Sequence, residues 1–254
     1  MITDTEGIIL RQTKIANGRR MIVLFSRKFG KISAGSNINE KGRSKSALAM
    51  RPFTYGRYEL YRKGRFYNIN GAETLKSYYS IGEDVDKYMS ASYCLELADK
   101  LLAEEQPAEG LFDLTVEVLA SLEKRNQRYD TPVLAYELKA LKQLGYMPQL
   151  DKCVKCGKEG DPAAFSVSDG GILCTDCRKY TEKSDNDSLI YDINFVIVNI
   201  MKFLLDNPLE SLEKLALEED KATVVRTVIR EYIRYHLDID SLKSEDLIEM
   251  PTRR

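Results

Sequence analysis

Along roughly the first seventy residues, apolar and polar positions alternate in short runs broken by glycine and polar turn residues, which is the two-residue period of half-buried strands. Strands are predicted near Gly7 to Lys14, Arg19 to Ser26, Lys31 to Gly35, Thr54 to Arg62 and Phe66 to Asn70, with turns at Asn17-Gly18, Lys28-Phe29-Gly30 and Lys63-Gly64. Five short strands in so little chain predict a small barrel. The segment 37–51 (NINEKGRSKSALAMR) has no clean period and reads as an exposed loop or a short helix between the third and fourth strands.

Beyond Ser80 the period lengthens to that of helices. Val85, Met89, Tyr93, Leu97 and Leu101 recur at steps of four, and Leu111, Leu114, Val118 and Leu122 follow the Pro107 to Gly110 break. Leu134, Leu138 and Leu141 mark a third helix that stops before Gly145 and Pro148. Ile193, Val196, Ile197, Ile200, Met201 and Leu204 mark a fourth. Val225, Val228, Ile229, Tyr232 and Ile233 mark a fifth, whose acidic start at Glu218-Glu219-Asp220 suits a helix N-terminus. The expected fold class is therefore α+β: a five-stranded β module over residues 1–80, then a helical bundle over 81–254 interrupted by a cysteine-bearing insertion at about 150–180.

That insertion carries the most specific signal in the chain. Cys153-Val154-Lys155-Cys156 and Cys174-Thr175-Asp176-Cys177 are two CxxC pairs separated by the 17 residues from Gly157 to Leu173, the spacing of a four-cysteine zinc site. Four thiolates leave no coordination position for water or substrate, so the ion is expected to hold structure and not to hydrolyse anything. A redox CxxC needs only one pair beside a thioredoxin-like unit, and iron is the remaining metal that thiolates bind. Lys152, Lys155, Lys158, Arg178 and Lys179 surround the pairs and read as solvated lysines and arginine more readily than as nucleic-acid contacts. The fifth cysteine, Cys94, falls inside the first helix and reads as a small core residue.

Charge divides the chain as the periods do. The net charge is −1, yet residues 1–80 hold 16 Lys or Arg against 5 Asp or Glu, while the remainder holds 22 against 34. A basic module suggests a polyanionic partner. Its candidate phosphate-binding residues are Arg19, Arg20, Arg27, Lys28, Lys31, Lys41, Arg43, Lys45, Arg51 and Arg57, interleaved with Phe25, Phe29, Phe53, Tyr55, Tyr58, Tyr61, Phe66 and Tyr67 on which bases could stack. Strand alternation places Tyr55, Arg57, Glu59 and Tyr61 on one face and Tyr58 with Leu60 on the other, so part of the aromatic set belongs to the core. No helix-turn-helix or finger helix supports sequence-specific readout.

Catalysis finds no footing. His236 is the only histidine and lies at the end of a helix beside an apolar stripe, where packing is the commoner role; no GxxxxGK[ST] loop and no GxGxxG after a strand occurs. A composition of 43% hydrophobic and 30% charged residues argues against disorder. The opening Met1-Ile2-Thr3-Asp4 lacks a basic, apolar leader and the longest apolar runs, such as Met21 to Phe25, fall far short of a membrane span, so a cytosolic, non-membrane protein is expected. The residues alone leave open a DNA binder, an RNA-binding barrel with a zinc site, and a non-catalytic scaffold.

Several stretches together are similar to one family: Lys41-Gly42-Arg43 with Lys45-Ser46, Arg51-Pro52-Phe53, Leu111-Phe112-Asp113-Leu114, Glu137-Leu138 through Leu144-Gly145-Tyr146-Met147-Pro148, Cys153-Val154-Lys155-Cys156-Gly157 and Gly170-Gly171-Ile172-Leu173-Cys174. Over nearly its whole length the chain resembles the RecO family of bacterial DNA repair and recombination mediators. The resemblance implies an OB-fold N-terminal domain, a helical domain and a zinc-binding insertion. It also implies binding of single- and double-stranded DNA, annealing of complementary strands, and help to RecA, together with RecR, in replacing the single-stranded-DNA-binding protein. Such a protein would be non-catalytic, cytoplasmic and nucleoid-associated.

Overall fold

The computed structural model describes residues 2–15, 19–38, 44–64, 66–181 and 189–245. Residues 1–124 with 242–254 form one compact unit and 125–241 a second.

In the first unit five strands close into a barrel: β1 (Ile2–Lys14), β2 (Arg20–Ser26), β3 (Gly30–Ser36), β4 (Thr54–Lys63) and β5 (Phe66–Ser77). Their order is β1-β2-β3-β5-β4, with β4 returning to β1. All neighbours run antiparallel except β3 and β5, which pair in parallel. This is the OB arrangement. Ile22, Leu24, Ile32, Ala34, Tyr58, Leu60, Tyr67 and Ile69 fill the interior, as the two-residue period requires, while Arg57, Glu59 and Tyr61 face out. β1 and β5 run longer than their hydrophobic pattern, because Thr3 to Glu6 and the mostly polar Gly71 to Ser77 pair with β4, the latter across a register shift at Tyr55/Gly56. The run 37–51 contains a short helix, α1 (Lys45–Ala49), capped by the Ser44 hydroxyl, which accepts from the Ala47 N–H at 3.1 Å. Ala47, Ala49 and Met50 are buried, and the Tyr58 hydroxyl donates to the Ala49 carbonyl at 2.8 Å, so this stretch closes over the barrel core.

Helices α2 (Val85–Leu101) and α3 (Glu109–Lys124) complete the first unit. Tyr93, Cys94, Leu97 and Ala98 are buried, Cys94 in the core role expected of it, but Val85 at the head of the apolar stripe is exposed. Phe112 of α3 meets Phe25 edge-on at 5.2 Å and Tyr55 at 6.0 Å, covering the outer face of β2 and β4. The change of period near Ser80 therefore marks a change of secondary structure, whereas the compact units divide after Lys124. At the chain's return, the Glu96 carboxylate of α2 accepts from the Lys243 N–H, the Ser244 N–H and the Ser244 hydroxyl at 3.0, 2.9 and 2.6 Å.

The second unit holds α4 (Asp130–Gln143), β6 (Pro162–Ser166), β7 (Gly171–Cys174), α5 (Thr175–Thr181), β8 (Ile190–Asp192), α6 (Phe195–Asp206) and α7 (Glu219–Leu237). α4 is buried on almost every side, with Glu137 facing Arg230 of α7 at 3.7 Å in the interior. The three short strands form a sheet in the order β7-β6-β8. Phe165 of β6 packs edge-on against Tyr232 at 5.9 Å, and His236 hydrogen-bonds the Val167 carbonyl at 2.7 Å. The single histidine thus braces the cysteine-bearing insertion against α7. Among the described residues no helix is long and apolar enough to cross a membrane.

Candidate metal centre and nucleic-acid face

The two CxxC pairs meet. Cys153 and Cys156 sit on a loop after Leu150, Cys174 ends β7 and Cys177 lies in the first turns of α5. The first knuckle turns because the Gly157 N–H reaches the Cys153 carbonyl at 2.9 Å and Gly157 takes a φ of 76°, which side-chain-bearing residues avoid. That knuckle is tied to β7, and so to the second pair, by the Val154 N–H bonding the Ile172 carbonyl at 2.9 Å. At Gly171 a Cβ would lie 2.4 Å from the Gln149 carbonyl oxygen, so only glycine lets the two segments approach.

All four Sγ atoms lie within 4.8 Å of one another, and Cys156 and Cys174 are 3.7 Å apart. A tetrahedron with metal–sulfur bonds of about 2.3 Å has edges of about 3.8 Å. The donor set fits a thiophilic divalent ion. Burial works to raise the Cys153 thiol, but N–H groups of Cys174, Cys156 and Lys155 outweigh it and bring it down to about 6. Burial, then hydrogen bonding to its three cysteine neighbours, pushes Cys177 up to about 12. The crowded sulfurs are thus driven apart, Cys153 toward thiolate and Cys177 toward thiol, a split that a dication would remove by taking them as thiolate ligands. The neighbouring cations are taken up locally: Lys155 by Asp169 at 2.6 Å, Lys158 by Asp176 at 3.3 Å and Asp161 at 3.5 Å, Arg178 by Asp192 at 2.8 Å. Lys152 and Lys179 are exposed.

On the barrel the ten candidate cations separate. Arg19, Lys28 and Arg57 are exposed. Arg19 bonds the Asn37 side chain at 3.2 Å, and Arg57 stands in register between Glu6 and Glu73, which temper its charge. Arg20 is only 8% exposed and donates to the Gln12 side chain at 2.9 Å, because its even register turns it toward the barrel interior with Ile22 and Leu24. Arg27 is held by Glu6 and Asp113 at 2.9 and 2.6 Å and lies over the Phe112 ring; Lys31 is held by Asp99. The Asp113 hydrogen bond leads the effects that raise Arg27 above the ordinary guanidinium value. Arg51 is half-buried. Lys41 and Arg43, like the turn at Asn17-Gly18, lie outside the described residues, as does the side chain of Lys45.

The aromatic set separates too. Phe25, Phe53, Tyr58 and Tyr67 are buried, Phe29 and Tyr55 half-buried, and only Tyr61 and Phe66 stand out, Phe66 at 75% exposure. Strand register shows what surrounds them. Met21 pairs with Gly35, Gly35 with Asn68, Asn68 with Tyr61, and Tyr61 with Ile2, an outward row that runs round the closed barrel and brings Tyr61 beside Ile2 and Asn68. Phe66 pairs with Lys63 beside that row. Met21, Ile2, Tyr61 and Phe66 are all exposed, and the Asn68 side chain lies against Gly35, where a Cβ would come within 2.9 Å of its Oδ1. The polar–apolar pattern could not find these rings, because exposed aromatics and core aromatics look alike in one dimension; only register sorts them.

A closed OB barrel with exposed aromatics and cations on its strands, in a chain that also carries a cluster of four cysteines able to hold a metal, defines a barrel protein with a cysteine-bearing insertion. The model of the family described as Recombination protein O N terminal matches residues 1–78, and that of Recombination protein O C terminal matches residues 82–246. Proteins named DNA repair protein RecO are similar along nearly their whole lengths. That of Alkaliphilus metalliredigens is 30% identical over 94% of this chain and 95% of its own. The relative from Caldanaerobacter subterraneus subsp. tengcongensis is 31% identical over 95% of each, and that from Pelotomaculum thermopropionicum 31% identical over 94% of this chain and 90% of its own. The chain belongs to the Recombination protein O family.

Proposed function

We propose that this chain is a non-catalytic mediator of DNA repair and homologous recombination. It binds single- and double-stranded DNA, anneals complementary strands and, with RecR, helps load RecA onto DNA covered by single-stranded-DNA-binding protein. The observation that carries the DNA-binding part is the set of exposed groups on the barrel strands: Tyr61 and Phe66 offer rings to bases, and Arg19 and Lys63 supply cations for phosphates. The strand-2 and strand-3 face with the adjoining loops is where OB barrels take oligonucleotides. Family membership supports the remainder. Stacking ignores base identity, so single strands of any sequence suit such a face, and annealing then needs only screened phosphates and presented bases. The four cysteines would hold zinc, which would brace the insertion and leave no coordination position for DNA chemistry. The working place of such a protein is the bacterial cytoplasm, at the nucleoid.

A strand-annealing assay with complementary oligonucleotides tests the reading. The chain is expected to accelerate annealing at low salt and to lose the effect as salt rises; annealing at the protein-free rate at every salt concentration overturns it. Reversing Arg43 and Lys45 to glutamate is expected to weaken DNA binding several-fold, and equal affinity removes that segment from the contact surface.

A further inference from the structure

The barrel's cations meet two different environments. Five of them reach α2, α3 or the turn between those helices and find a carboxylate there: Arg11 meets Asp99 at 2.7 Å, Lys31 meets Asp99 at 3.5 Å, Arg27 meets Asp113 at 2.6 Å, Arg62 meets Glu105 at 3.2 Å and Lys76 meets Glu123 at 3.0 Å. The supply of acid is large, since residues 81–124 hold 11 Asp or Glu against 3 Lys or Arg. Outside those pairs Arg19 meets a neutral amide, and Lys63 stands exposed beside Phe66.

Holding the helices on the barrel does not explain this arrangement. Arg11, Arg27, Arg62 and Lys76 keep 32% or more of their side chains in water, and ion pairs so exposed contribute little to stability because water screens them and ordering long side chains costs entropy. The rings of Phe25, Tyr55 and Phe112 do the docking. Toward a polyanion the same pairs weigh more. A cation already facing a carboxylate neutralises no phosphate, and the carboxylate repels the phosphates that pass.

We propose that the acidic residues of α2, α3 and their connecting turn act as an electrostatic mask. They occupy five cations of the barrel and so confine DNA to the exposed cluster of Tyr61, Lys63 and Phe66 on β4 and β5. This rests on the DNA-binding reading above and adds a direction to it: neutralising acid on this side strengthens binding and spreads it. Asp113, Glu105 and Glu123 are specificity determinants in this sense, acting by what they withhold.

The test is the triple variant Asp113→Asn, Glu105→Gln, Glu123→Gln, isosteric and uncharged, with Glu105→Gln alone as the mildest version and the thermal midpoint of each as a check on folding. Asp99 is left in place because both it and Lys31 are largely shielded from water. Affinity for a fluorescent oligo-dT is measured across a salt series, and photo-crosslinks to an iododeoxyuridine oligonucleotide are mapped. The triple variant is expected to bind several-fold tighter at low salt. Its log–log salt slope is expected to steepen by about 0.7 for each cation released, about 1.4 for Arg62 and Lys76, since Arg27 keeps its pair with Glu6. Crosslinks confined to the Tyr61 and Phe66 peptides in the unaltered chain are expected to extend to those bearing Arg27 and Tyr55. Equal or weaker affinity with an unchanged slope, in a variant that keeps its thermal midpoint, overturns the mask while leaving the DNA-binding reading intact. No binding by the unaltered chain at any salt concentration overturns the reading beneath it.

Discussion

Phe66 and Glu96 show how differently single residues serve the same unit. Phe66 is the most exposed of the barrel aromatics and has Lys63 as its cross-strand partner, so its ring is available where a cation is at hand. Replacing Phe66 with alanine is expected to weaken oligo-dT binding by about 1–3 kcal/mol, the worth of one stacked base, without moving the thermal midpoint; equal affinity in a filter-binding titration removes Phe66 from the interface. Glu96 works inward. Burial acts to raise its carboxyl, but the hydrogen bonds from the Ser244 hydroxyl and N–H and the Lys243 N–H prevail, and it lies below its ordinary value of 4.5. A lowered carboxyl contributes stability that is present above the unfolded value and disappears as pH falls through the folded one. Glu96→Gln is therefore expected to lower the urea midpoint at neutral pH, and the gap from the unaltered chain is expected to close below about pH 4. A gap that persists undiminished at pH 3 contradicts the three-bond anchor. Neither role was legible from composition. Phe66 and Phe25 are equivalent as letters, and only β5 register against burial under Phe112 tells them apart.

At the scale of elements the period of hydrophobic positions served well where one face is wet and the other dry. It located every barrel strand and each of the longer helices, because alternation and the i, i+4 stripe report burial directly. It shortened β1 and β5, whose outer stretches are mostly polar yet gain their place from backbone pairing with β4. It also left α1 undecided, since Ala47, Ala49 and Met50 are too few to establish a period even though they seal the core. The thiolate module was the most legible element, for CxxC spacing encodes the geometry of the knuckle itself. Its glycines carry the rest of the information: Gly157 for its left-handed turn, Gly171 for its contact with Gln149. Stripping the ion with a strong chelator is expected to expose 150–181 to protease within a chain whose barrel resists, with one equivalent of zinc released per chain by metal analysis. A protease pattern unchanged after full release contradicts a structural ion.

Over the whole molecule, charge proves less simply divided than the sequence suggests. Cutting at Ser80 separates 16 cations and 5 anions from 22 and 34, as though a basic barrel were set against an acidic body. The compact unit extends to Lys124, however, and the acid concentrated in 81–124 pairs with cations of the barrel itself. Arg27 and Lys31, which read in one dimension as phosphate ligands, are held in ion pairs, Arg20 turns inward, and Arg19, Lys28 and Lys63 remain exposed outside those pairs. The direct measurement of this account is the salt dependence of oligo-dT binding by the chain carrying Arg19→Glu and Lys63→Glu, beside one carrying Arg27→Gln. The account predicts that the first variant binds at least tenfold more weakly with a log–log slope shallower by about 1.4, two phosphate contacts' worth, while the second stays close to the unaltered chain. A full slope in the first variant, or a loss in the second as large as in the first, would contradict it.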